Sequence, residues 1–381
     1  VIFQDDPPTR GPRYWRRLDG AAGGLAADLG LYTASAIFAA ITAATSTLLP
    51  HRAWGTVAVV GYLLAALAVT GQLLARRHGV IRLTGTTARA TITAVTWAST
   101  ALLPMVWQCV ERAAGRTDRA QEEVVVIEHA GIRLLELGTP YLGPAAIKSL
   151  PAGEQLLGYT PYQPGMALFG LPRAIAGATW WTDARIWFAL ATAAALVAAV
   201  ATLRRTGSAP AGSGPPAAGP ARPDLPARNE ARDAALVRAV QLATVLPVCA
   251  LTLATGGDDL PVLALCLLAL AFGAARRFGA AGVAVGLAAA LKLFAWPVAL
   301  VLLGYAATRG WRTAARLAAG AIGLPIAALI PAQLVDSTAL VENVLRFPLG
   351  RGVVTSPAQS PFPGYLIASA LPAGRVIAAA L

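Results

Sequence analysis

Apolar runs at about 29–49, 54–75, 90–110, 184–203, 233–254 and 314–334 each reach the length of ~20 residues that an α-helix needs to cross a bilayer core. Only 13% of the 381 residues are charged, and mean hydropathy is +0.59. A soluble domain carries roughly 25% charged residues. These features define an all-α, polytopic membrane protein.

The net charge is +12, from 31 basic and 19 acidic residues. In such a chain this excess marks cytoplasmic segments rather than a nucleic-acid partner. The Ala, Gly and Arg richness points to a high-GC bacterial genome. The three cysteines, Cys109, Cys249 and Cys266, sit in apolar runs at no metal-ligand spacing and read as small buried hydrophobes. Residues 1–27 lack the apolar core of a signal peptide.

Charge divides the chain. Residues 1–27 form a cytoplasmic N-terminal segment, and 28–110 hold the first three membrane spans. Residues 111–183 are a long outer loop with interfacial helices, and 184–205 a further span. A disordered Pro/Ala/Gly linker, cytoplasmic, covers 206–231. The second membrane half runs over 232–335, and a second outer loop over 336–365. Residues 366–381 read as the start of another span, with the chain continuing beyond it. The segments 1–27, 76–89, 204–232, 276–277 and 308–316 hold 18 of the 31 basic residues. Placing them inside puts both long loops, and Asp258-Asp259, outside.

The stretch 278–307 is read as a hairpin of two short helices. Arg276-Arg277 and Arg309, Arg312 flank its two ends, and Trp296-Pro297 breaks the helix. A half of about 13 residues reaches only ~20 Å. Lys292 at the tip is thereby placed below the outer surface of a ~30 Å core.

Within 111–183, the run Gln121-Glu122-Glu123-Val124-Val125-Val126-Ile127-Glu128-His129 gathers three carboxylates in seven residues. Glycosyl transfer from a lipid phosphate needs a carboxylate to take the acceptor proton and cations to hold the leaving phosphate. Glu123, with Glu122 and Glu128 as alternatives, is the candidate catalytic base. Lys292, Arg346 and Arg351 are the candidate donor-phosphate ligands. Asp258 and Asp259 are candidates to hold the acceptor or a divalent metal. No cofactor motif is present. Each group also has a plain reading: loop solvation for the glutamates, a snorkelling Lys292, a polar Asp258-Asp259 turn, a surface His129, and loop charges at Arg346 and Arg351.

The run from Glu123 through Gly131, followed by Gly138-Thr139-Pro140-Tyr141, resembles the first outer loop of glycosyltransferase family 87. Tyr159-Thr160-Pro161-Tyr162-Gln163-Pro164-Gly165 resembles the aromatic-Pro segment that follows it. The small-residue run Gly282–Leu291 ending in Lys292 before Trp296-Pro297 is similar to a third family feature. The resemblance covers about 120–365. It implies a GT-C-type transmembrane helix bundle and a polyprenyl-phosphate-mannose-dependent mannosyltransferase of the plasma membrane. It also places Glu123 where the family has an Asp as the proposed base. The expected partners are a polyprenyl-phosphate sugar donor, a lipid or glycan acceptor of the cell envelope, and membrane lipid. A transporter or flippase, or a non-catalytic membrane scaffold, are the rival readings. A transporter is disfavoured because the spans are nearly free of acids and no repeat is visible.

Overall fold

The computed structural model describes residues 21–208 and 225–355, with 366, 369–371 and 373. Most of the 1–27 segment, the centre of the 206–231 linker, the Pro-rich run 356–363 and most of 366–381 lie outside the described residues. In chain order the helices are α1 (Leu25–Thr45), α2 (Leu49–Arg77), α3 (Thr86–Ala113), α4 (Glu122–Leu137), α5 (Pro144–Ser149), α6 (Leu171–Ala176), α7 (Ala184–Ser208) and α8 (Leu225–Thr244). They continue as α9 (Pro247–Thr255), α10 (Asp259–Ala274), α11 (Phe278–Leu291), α12 (Trp296–Ala307), α13 (Trp311–Val335) and α14 (Ser337–Val341). Among the described residues there is no strand. Among the described residues five helices are long and apolar enough to cross a membrane, six if the bent pair formed by α8 and α9 is one span. The chain is an all-α polytopic membrane protein.

The helices fall into two compact units, residues 1–119 with 205–255, and 120–204 with 256–381. In the first, α1 and α2 approach closely: a Cβ at Gly55 would lie 2.7 Å from the Ala39 carbonyl oxygen. Small residues are what let membrane helices pack backbone to backbone. A π-turn at Ala98–Leu102 interrupts α3, and the Trp54 Nε1–H donates to the Thr100 carbonyl at 2.7 Å. Asp28 is buried and accepts from Arg89 (2.6 Å) and Arg238 (2.8 Å). Arg89, counted above with the cytoplasmic basic residues, is therefore the partner of a buried acid. Without it Asp28 would carry an uncompensated buried charge.

In the second unit, α11 and α12 run antiparallel, because the rings of Phe278 and Tyr305, at their far ends, lie 5.7 Å apart. Helix α11 presses on α13 through glycines. A Cβ at Gly282 would land on the Leu317 carbonyl, and one at Gly286 on the Gly320 carbonyl. Gly282 and Gly286 are four residues apart, the spacing that puts two small residues on one helix face.

The acidic stretch expected as loop is a 16-residue helix, α4. Glu122 and Glu123 occupy its first turn, where carboxylates complement the helix dipole. Gly138, at φ 73°, ends it in the left-handed conformation. Val124, Ile127, Glu128 and Gly131 are buried and share one face. That 3.6-residue period is hard to see in the sequence because one of its positions is a charge, another has no side chain, and a β-branched run crosses it.

Candidate active site

Four separate segments of the second unit supply the site. The first turn of α4 brings Glu123. The turn between Gly256 and Asp259 brings Asp258 and Asp259, with Gly257 at φ 93° allowing the reversal. The end of α11 brings Lys292, whose backbone is extended (φ −147°) as the helix stops. The Tyr159–Gln163 segment brings Tyr162.

Close backbone approaches fix these pieces. The Gln163 N–H donates to the Leu291 carbonyl at 3.1 Å, satisfying an end of α11. A Cβ at Gly165 would lie 2.6 Å from the Ala290 carbonyl oxygen, so the segment sits directly on the helix end. Tyr141 O–H donates to the Tyr162 carbonyl at 2.8 Å. A Cβ at Gly256 would lie 2.6 Å from Gln121 Oε1 and 3.5 Å from Glu123 Oε2, which leaves the turn room for the start of α4 only without a side chain.

Lys292 Nζ lies 2.7 Å from Asp258 Oδ2 and 2.5 Å from Asp259 Oδ1. It also lies 4.7 Å from the centre of the Tyr162 ring. Asp258 is buried, whereas the Asp259 side chain is 53% exposed. Burial pushes the Glu123 carboxyl above its ordinary range, the Asp258 carboxylate adds to this, and Lys292 partly offsets it. Burial likewise raises Asp258, against the pull of Lys292. The Tyr162 hydroxyl is raised too, by burial and then by the charges of Asp258 and Glu123. Two carboxylates thus hold one ammonium, and Glu123 stands near enough to feel the charges of all three. Among the described residues no three His, Cys, Asp or Glu side chains are grouped to hold a metal ion.

The other expected site residues lie elsewhere. Glu122 is exposed beside Glu123. Glu128 is buried and pairs with Arg173 Nε at 3.1 Å while accepting from the Ala184 N–H at 3.3 Å, so it holds α6 and the start of α7 against α4. It lies five residues beyond Glu123, on another face of the helix. Arg346 and Arg351 are exposed and adjacent, the Arg351 N–H donating to the Arg346 carbonyl at 2.7 Å. Neither is among the partners of Lys292.

One cluster was not read from the sequence. Buried Glu342 accepts from the Tyr159 hydroxyl (2.8 Å) and the Val353 N–H (2.7 Å). Asn343 Oδ1 accepts from the Thr160 N–H at 2.8 Å, and Tyr159 stacks on Phe347 with centroids 3.8 Å apart. Arg133 donates to the Gly158 carbonyl at 3.1 Å. Together they order the segment that carries Tyr162. Glu342-Asn343, a polar pair directly after an apolar turn, was the available signal.

The family model described as glycosyltransferase family 87 matches residues 159–381, more than half of the chain. The chain belongs to glycosyltransferase family 87. Among curated proteins and among solved structures there is no match. The family 87 match includes Tyr162, Asp258, Asp259, Lys292, Arg346 and Arg351, and it begins after α4. Glu122, Glu123 and Glu128 therefore lie outside it, and only the geometry ties Glu123 to the matched part. The chain is a membrane glycosyltransferase, and a sugar donor and an acceptor are its substrates.

Proposed function

We propose that this family 87 member transfers a hexose, mannose in the first instance, from a polyprenyl-phosphate sugar to a cell-envelope lipid or glycan on the outer face of a bacterial plasma membrane. The observation that carries the reading is the convergence of Glu123 with the Asp258–Lys292 pair from segments more than a hundred residues apart in sequence.

Glu123 accepts the acceptor's hydroxyl proton as that oxygen bonds to the anomeric carbon. The bond from that carbon to the phosphate oxygen breaks, and its electron pair leaves on the phosphate. Lys292 meets that charge. It must first exchange a carboxylate for a phosphate oxygen, and half-exposed Asp259 is the easier to release. Asp258 keeps the ammonium in place. The helices α10 and α11 have 16 and 14 residues, so they reach only ~20–25 Å and leave the Lys292 turn recessed in a ~30 Å core. A recess at that depth suits a donor whose tail is a lipid. Arg346 and Arg351 would guide the phosphate toward it.

The test is sugar transfer by purified, reconstituted protein from synthetic polyprenyl-phosphate-mannose to an extract of cell-envelope lipids. Wild type should make a new glycolipid. Glu123→Gln should bind donor with nearly unchanged affinity and make none. Turnover by Glu123→Gln would move the base elsewhere. No product from wild type under any donor tested would overturn the donor assignment.

A further inference from the structure

At the opposite end of the hairpin from Lys292 lies a cavity of about 570 Å³, lined by Arg276, Arg277, Phe278, Gly279, Ala280, Arg309, Thr313 and Arg316. This is within the 300–1,000 Å³ range of ligand pockets. Four guanidinium groups and a hydroxyl line it, and none of its lining residues is acidic. We propose that this cavity is a binding site for a phosphate-bearing anion, and specifically for the headgroup of an anionic phospholipid.

Three independent features converge there. First, the arginines are exposed and, among the described residues, no ion pair joins Arg276, Arg277, Arg309 or Arg316 to a carboxylate. Guanidinium groups bind phosphate through paired N–H donors. Second, Phe278, Gly279 and Ala280 are the first residues of α11, and that helix has no side-chain cap. The first bond closing onto its start runs from the Ala281 N–H to the Arg277 carbonyl. The N–H groups before it belong to residues that line the cavity and have no partner within the helix, and helix N-termini of this kind bind phosphate. Third, Arg276 adopts φ 59°, a left-handed conformation that glycine takes at far lower cost. The Arg276 N–H donates to the Gly273 carbonyl and the Arg277 N–H to the Phe272 carbonyl, ending α10. This helix end, which suits glycine, carries a guanidinium despite the strain.

The depth favours a lipid source. Helix α13, a candidate membrane span, begins at Trp311, which is 74% exposed. Trp beside Arg at a span's end marks the headgroup level. Basic pockets between membrane helices at that level take anionic headgroups. The cavity is one helix length, about 20 Å, from Lys292, so the proposal does not rest on the donor assignment above.

The experiment measures binding of short-chain phosphatidylglycerol, phosphatidylcholine and inorganic phosphate to the full chain in neutral detergent. It compares wild type with Arg276→Gln/Arg309→Gln/Arg316→Gln. A control of equal charge loss away from the cavity is Arg52→Gln/Arg77→Gln/Arg82→Gln. Phosphatidylglycerol should bind wild type and control alike, and the cavity variant on the order of a hundredfold more weakly, from roughly fivefold per guanidinium. Arg276→Gly is a second variant: it relieves the backbone, so it should raise the melting temperature and still weaken binding. Phosphate binding with the same arginine dependence, and displacing the lipid, would keep the site and assign it to free phosphate. Equal losses in cavity and control variants, equal affinity for phosphatidylcholine, or no binding by wild type would each overturn the proposal.

Discussion

Glu123, the proposed base, shows how a raised proton affinity works against stability at neutral pH. Its pKa in the folded chain is raised by burial. Its contribution to stability is therefore fully present below the unfolded carboxyl pKa and is lost as pH rises through the folded value. At neutral pH the ionised carboxylate is a net cost, so Glu123→Gln should unfold at a slightly higher temperature than wild type while losing transfer. A lower melting temperature in that variant would mean that Lys292 stabilises the carboxylate more than burial penalises it. The same shift sets the pH profile. If Glu123 is the base, the acidic limb of kcat/KM should lie above the ordinary carboxylate range, because the deprotonated form is the active one. A limb at or below that range would remove Glu123 from the role. Lys292→Met poses a different test, since it leaves Asp258 buried without its cation. It should destabilise the chain by about 3–5 kcal/mol in thermal or denaturant unfolding, and adding Asp258→Asn should recover most of the loss.

Among the elements, legibility followed chemistry. The long apolar helices could be read because lipid demands continuous runs, and the two short helices of 278–307 because arginines flank both ends. The break expected at Trp296-Pro297 comes instead after Leu291, and Trp296-Pro297 opens α12, where a proline needs no N–H partner. Helix α4 was missed, since its buried face includes Glu128 and Gly131. Lys292 and the Asp258-Asp259 turn could be singled out as charges between apolar helices, but not their pairing, which depends on how α10 and α11 are brought side by side. Glu128 was grouped with Glu123 by nearness in sequence, and helical geometry separates them. The Tyr159–Glu342 bond joins positions 183 residues apart, a distance at which one sequence carries no local signal. The contact of α11 with α13 offers its own test. Gly286→Leu must displace the Gly320 backbone, and overpacking of this kind costs about 1–3 kcal/mol or more. The change should lower thermal stability far more than the same substitution at Gly304, which has open space around it.

For the whole chain, the orientation reading makes a direct prediction. Cys109, Cys249 and Cys266 are all buried, so the background for thiol labelling is low. Lys148→Cys, at an exposed position, should react with an impermeant reagent on intact cells. Arg309→Cys should react only after permeabilisation. The reverse pattern would invert the topology and move the site to the cytoplasmic face. The glycine crossing has a mechanical corollary. Helix α11 is a short, stiff rod pinned near its middle, where Gly282 and Gly286 meet α13, with cationic side chains at either tip: the lysine turn at one and the arginine cavity at the other. A rod held at its centre acts as a balance beam, so a small tilt that lifts one tip lowers the other by a similar distance.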